Sequence, residues 1–153
     1  MKIGVISDTH GHLDPRVPEL FAGVKHILHG GDIGDFLIIA GLQKIAPVTA
    51  VLGNNDFGMD FRETELIEFQ SRKVLVQHIV APASLTGELR SRIARDKPDI
   101  VVFGHTHQMF CRQIGATLFF NPGYAGRQRF RLERSVAILE LDGDSISHRF
   151  IAL

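Results

Sequence analysis

A single cysteine, Cys111, is all the thiol chemistry the chain carries, so no internal disulfide can form and no thiolate cage can be built. Charge of one sign is also missing. The 17 basic and 17 acidic residues cancel, which argues against attachment to nucleic acid or an anionic membrane through a polyelectrolyte surface. No apolar run approaches the roughly 20 residues of a bilayer span. The opening "MKIGVIS" has one lysine and a short apolar stretch rather than the long core of a secretory signal, so the expected location is the cytoplasm. Repeats, linkers and low-complexity tracts are absent, and residues 1–153 read as one domain. Histidine stands out instead, with eight residues whose placement matters more than their number.

Short β-branched runs alternate with helical patterns through the first third. Residues 2–7, 25–32 and 47–56 read as strands. Between them, 15–24 and 34–45 read as helices, with Asp35 near the start of the second. Strand, helix, strand, helix, strand is the order of an α/β layer with parallel strands. Residues 65–70 and 73–80 then form a predicted hairpin, and 84–97 a helix with Ser84 as its N-cap and Pro98 beyond its end. A strand over 99–107 leads into an all-β tail at 109–114, 116–121, 128–134, 135–142 and 145–151, with "LDGDS" as a hairpin turn.

The polar ends of these strands share one chemistry. Asp8 and His10 follow the first, Asp32 the second, and Asn54, Asn55 and Asp56 the third, while His78 ends the 73–80 strand and His105 and His107 follow residues 99–103. Ligands of open α/β sheets bind outside the carboxyl ends of the strands. Residues i and i+2 of a strand share a face, so Asp8 with His10, and His105 with His107, are expected to point into one cavity. Carboxylate, carboxamide and imidazole without thiolate make a hard-to-borderline metal environment. Each motif alone is a common turn sequence; their joint order carries the inference.

Read together, "SDTHG" (7–11), "GD" (31–32), "GNND" (53–56), His78, "GHTH" (104–107) and "NPG" (121–123) resemble the calcineurin-like metallophosphoesterases, closest to their small bacterial and archaeal phosphodiesterase branch. The resemblance implies a two-sheet mixed β-sandwich flanked by helices, with two divalent metal ions at one edge. It assigns Asp8, His10 and His107 to one ion, Asn54, His78 and His105 to the other, and Asp32 to both. Sequence alone does not separate Asn54 from Asn55; the family places the ligand directly after glycine. Manganese is the expected metal, and iron, nickel, cobalt or zinc suit the same ligands. The implied reaction is hydrolysis of a phosphate ester, more readily a diester, by a metal-held hydroxide attacking in line. The alternative is a non-catalytic interaction scaffold like the retromer subunit of this fold, whose metal-site residues are partly replaced.

Two departures accompany the resemblance. Asn55 stands where many relatives have a histidine that protonates the leaving oxygen, and Ile79 stands where glycine usually follows the site histidine. The β-branched Ile79 resists backbone angles open to glycine, which makes His78 the least secure ligand. Asp56 is expected to orient a ligand rather than simply cap a turn, and Arg127, with Arg129 and Arg131 on one strand face of 127–134, to form a solvated edge or, following "NPGY", to flank the site and bind a substrate oxygen. Tyr124 is a candidate pocket wall, His29 a partner for Asp32, and His12 a candidate acid. Of His26 and His29 one is expected in solvent; His148 is expected at the surface and Cys111 in the core. The expected partner is a small phosphate ester, and the sheet-rich tail offers an edge for a homo-oligomer.

Overall fold

A computed structural model describes all residues 1–153. Ten strands and three helices run in the order β1 (Lys2–Ile6), α1 (Val17–Leu20), β2 (His26–His29), α2 (Phe36–Gln43), β3 (Val48–Ala50), β4 (Thr64–Phe69), β5 (Arg72–Gln77), α3 (Gly87–Asp96), β6 (Ile100–Val102), β7 (Met109–Ile114), β8 (Thr117–Pro122), β9 (Ser135–Asp142) and β10 (Ser145–Ala152). They make two mixed five-stranded sheets, ordered β10-β9-β1-β2-β3 and β4-β5-β6-β8-β7. The parallel centres β1-β2-β3 and β5-β6-β8 are bordered by antiparallel strands.

Burial on both faces explains why the central strands read as continuous apolar runs. Ile3 and Val5 of β1 meet Val74, Val76, Ile100, Val102 and Phe120 in the layer between the sheets. Ile6 belongs to the opposite face, packed with Phe21, Ile39 and Leu42 under α1 and α2. A third cluster, Leu75, Val101, Phe103 and Phe119, lies under Leu89 and Ile93 of α3. Helices, sheet, sheet, helix is thus the layering, and each fully buried Val, Ile or Phe contributes ~1.5–3 kcal/mol. No helix is long and apolar enough to cross a membrane.

Several local expectations need correction. The 15–24 helix is a single turn, Val17–Leu20, because Pro15 and Pro18 cannot donate and Gly23 turns left-handed. Asp35 does cap α2, accepting from the Leu37 N–H at 2.8 Å, but Ser84 does not cap α3. Thr86 holds that position without a side-chain cap bond. Residues 128–134 form no strand. Phe130 takes a left-handed φ of 53°, the Gln128 amide donates to the carbonyls of Phe130 and Leu132, and Arg129 N–H donates to the Tyr124 hydroxyl. Arg127, Arg129 and Arg131 therefore share no strand face. The β4–β5 hairpin turns through Gln70 and Ser71, both at positive φ, which matches the right-handed strand twist.

Candidate metal centre

The strands end sooner than the motifs. β1 stops at Ile6 and β6 at Val102, so neither Asp8/His10 nor His105/His107 sits on a strand and the i, i+2 argument does not apply. Turns do the aiming instead. Asp8, His10, Asp32, His105 and His107 all adopt positive φ, between 46° and 68°. That region costs an L-residue roughly 1–2 kcal/mol and is retained where surrounding structure holds it. Here the holding bonds are explicit: Asp8 N–H to Gly31, His10 N–H to Asp32 and Gly11 N–H to Ile33 lace the first turn to the second. Close approach matters too, since a Cβ at Gly53 would collide with the Asp32 carboxylate and one at Gly104 with Ser7 and Asp8.

What converges is a chain of alternating carboxylates and imidazoles. His107 Nε2 lies 3.3 Å from Asp8 Oδ1, and the same oxygen lies 3.8 Å from His78 Nε2. His78 Nε2 is 3.5 Å from Asp32 Oδ2, which is 3.7 Å from His10 Nε2. Asp8, His10 and His107 form one group of metal-ligand spacing; Asp8, Asp32 and His78 form a second. Asp8 is thereby common to both groups, where the sequence reading gives the shared position to Asp32. The imidazoles pair between motifs rather than within them, His10 against His107 at 5.6 Å and His78 against His105 at 5.3 Å between centroids. Asn54 is exposed and meets the cluster through its Oδ1, 3.1 Å from His105 Nδ1.

Supporting bonds fix which atom faces inward. His78 Nδ1 donates to the Gly30 carbonyl at 2.7 Å, leaving Nε2 as a bare lone pair in a buried position. His78 Nε2 and His10 Nε2 are both buried without a hydrogen-bond partner. Orphaned buried nitrogens of this kind are costly unless something else satisfies them. Ser7 Oγ donates to Asp8 at 2.6 Å, and the His105 N–H donates to both Asp8 oxygens. His29 accepts from the Gly31 N–H at Nδ1 and is joined to Thr9 Oγ1 at 2.9 Å, and Thr9 in turn donates to the Ile33 carbonyl. It is wholly buried and pins both turns, touching Thr9 rather than Asp32 itself.

The protonation balance follows. Burial pushes the His10 proton affinity down against the pull of Asp32 and Asp8. A hydrogen bond to Asp8 raises His107 despite burial. At Asp32 burial pushes upward, but the Asn55 backbone and side-chain bonds and the neighbouring His78 and His10 outweigh it, so the carboxyl lies below its usual range. Burial drives His29 down to about 4.

The other candidates fall differently. Asn55 clamps Asp32 with its N–H at 2.9 Å and its carboxamide at 2.8 Å, so the amide orients a carboxylate rather than standing free beside a leaving group. Asp56 accepts from the N–H groups of Ile33, Gly34 and Gly53 at 2.8–3.0 Å, so it ties two turns together and does not reach the cluster. Arg127 is exposed with no hydrogen bond or ion pair. The arginine whose charge reaches both His10 and His107 is Arg129. Its N–H holds the Tyr124 hydroxyl, and Tyr124 stacks on His107 at 5.0 Å and 22°. Strand alternation had made the three arginines equivalent; the loop singles out one. Ile79 is half exposed and absent from the positive-φ residues, so it imposes no turn strain, and His78 reaches both carboxylates. His12 lies outside both groups. His26, expected with His29 to place one ring in solvent, is half-buried against Phe69 and bonded to Thr49, so neither ring is solvated. His148 is exposed, 3.6 Å from the half-buried Cys111 sulfur.

Residues 1–144 match the family model of the calcineurin-like phosphoesterase superfamily domain. A probable metallophosphoesterase of Methanothermobacter thermautotrophicus is 35% identical over 159 aligned residues, spanning 99% of this chain and 92% of its own. Phosphodiesterase MJ0936 of Methanocaldococcus jannaschii is 29% identical, spanning 80% of this chain and 83% of its own. Among solved structures, wild-type Vps29 of Entamoeba histolytica complexed with zinc has a TM-score of 0.76 at 24% identity, with 99% of both chains covered, a likeness of fold.

Proposed function

The chain belongs to the calcineurin-like phosphoesterase superfamily, and from that premise we propose that residues 1–153 act as one domain hydrolysing a small phosphodiester at a pair of divalent ions. The observation that carries the reading is the pair of buried, partnerless nitrogens, His10 Nε2 and His78 Nε2, each facing a carboxylate. Asp8, His10 and His107 would hold one ion, Asn54, His78 and His105 the other, with Asp32 between them and Asp8 within reach of His78. Bound there, such ions supply Lewis acidity, which acidifies water and neutralises phosphate oxygens. Manganese, iron, nickel, cobalt and zinc all suit oxygen and imidazole donors.

The chain's own residues do the positioning. Gly30 fixes the His78 tautomer, Ser7 and the His105 N–H orient Asp8, and Asn55 orients Asp32. Arg129, tied by its N–H to the Tyr124 that stacks on His107, would offer a guanidinium to a non-bridging phosphate oxygen. Because Asn55 is engaged with Asp32, the leaving oxygen takes its proton from solvent, which favours diesters with good leaving groups. The phosphodiesterase MJ0936 relative supports this preference. The lone cysteine and the absence of a disulfide fit a reducing compartment, and we assign the cytoplasm.

A scaffold of the same fold is the competing reading; all seven expected ligand residues stand in the sequence and five of them lie at metal-ligand spacing, which supports catalysis over it. Hydrolysis of bis-p-nitrophenyl phosphate with added manganese decides between them. Wild type should turn over and hold metal measurable by mass spectrometry, and His107→Ala should lose most of both. A wild-type protein that takes up no transition metal and cleaves nothing would leave the scaffold standing.

A further inference from the structure

A cavity of about 660 Å³ adjoins the cluster at Asn54 and His78, which are among its lining residues. A volume in the few-hundred to 1,000 Å³ range accommodates a small organic ligand. Only Leu52, Ile79 and Leu89 of the twelve lining residues are apolar, so the cavity does not suit an acyl chain.

Its polar groups are under-used. Arg62 has one distant neighbour, Glu65 at 3.8 Å. Arg92 Nε is buried with no hydrogen-bond partner; Asp96 lies 3.4 Å away, but both Asp96 oxygens already accept from Arg95 at 2.8 and 3.0 Å. Glu63 and Glu88 make no hydrogen bond or ion pair. Three kinds of handle therefore lie together: guanidinium groups held only by ion pairs at 3.4 and 3.8 Å, the unpaired carboxylates of Glu63 and Glu88, and the apolar surfaces of Ile79 and Leu89.

One common ligand class uses all three. A nucleotide presents phosphate and base carbonyl oxygens to guanidinium groups, hydroxyls to carboxylates and a flat base to aliphatic side chains. We propose that this cavity is a nucleotide-binding subsite that holds the non-reacting arm of the diester, with Arg92 and Arg62 as its anion-recognising residues. The inference rests on the phosphodiesterase reading for its place in catalysis, and on the cavity alone for binding. Ile79 then acquires a use: where glycine would leave open space, its half-exposed side chain forms part of the wall.

Calorimetric titration of thymidine 5′-monophosphate into the protein in manganese buffer tests it. Losing one charge-assisted contact should weaken binding about tenfold in Arg92→Met. Arg62→Met, altered at an exposed side chain, should weaken it in the same direction if the helix variant proves unstable. Arg149→Met, on β10 and outside the cavity, removes the same charge and should bind as wild type does. Absent binding by wild type, or equal affinities throughout, overturns the subsite. Hydrolysis is scored separately with bis-p-nitrophenyl phosphate. Arginine-dependent nucleotide binding by an inactive protein keeps the subsite and sinks the catalytic reading, whereas turnover with arginine-independent binding does the reverse.

Discussion

At the ends of β1 and β2 the first sheet presents two buried carboxylates, Asp8 and Asp32, with one imidazole, His10, whereas the second sheet presents the imidazoles of His78, His105 and His107 and no carboxylate. The support differs as well. Asp32 is held by Asn55 from its own sheet's side, whereas Asp8 takes one bond from its neighbour Ser7 and others from the His105 N–H contributed from across the sandwich. Neither sheet owns a complete cage. The contrast teaches that the centre exists only when the two sheets are packed, and that packing them brings two buried negative charges close together. A cation bound there would relieve that repulsion and clasp the sheets.

Removing the shared carboxylate breaks this division most severely. Asp8→Asn should lower turnover of bis-p-nitrophenyl phosphate by about 10²–10³-fold, the scale of losing one major electrostatic group, and should reduce the metal content. Acid should strike the first sheet next. Unfolded His29 gains a proton below about 6.5, while the folded one resists until about 4, because its burial outweighs the opposing pull of Asp8, Asp56 and Asp32. Its folded affinity is depressed, so stability falls as pH drops through that window, by up to ~3 kcal/mol. Denaturant melts at pH 7 and pH 5 should show the slope, flattened in His29→Gln. Manganese at a hundredfold excess over its dissociation constant should stabilise wild type by about 2.7 kcal/mol. The gain, read as a shift in thermal midpoint, should shrink in His78→Ala as well as in Asp8→Asn, since the cage draws on both sheets. Smallest is Asn55→Ala, which keeps the backbone bond to Asp32; chelator competition should find metal affinity reduced toward the lower end of the roughly 10–100-fold typical of such supports.

Much of this was legible in the residues. The strand and helix order of the first third, the placing of Asp35 at the start of α2 and the convergence of Asp8, His10, Asp32, His78 and His107 follow from apolar runs and the polar groups after them. The failures have physical sources. Period-2 reasoning made a strand of 128–134, but a left-handed Phe130 and the Gln128 amide fold it into a loop, so Arg129 rather than Arg127 is tied, through its N–H, to the Tyr124 that stacks on His107. Asp56 looked like a site group because it adjoins one. Only the tertiary structure reveals that three backbone N–H groups occupy it. The clamping role of Asn55 was equally hidden, since it depends on a contact across 23 residues.

The left-handed turns at Asp8, His10, Asp32, His105 and His107 carry a further consequence. Glycine adopts such angles at no steric penalty, so replacing His10 by glycine would ease the backbone while discarding a donor nitrogen. A directed-evolution campaign scored only on heat resistance would thus be drawn toward these positions, and its winners would be hardier molecules with nothing left to do.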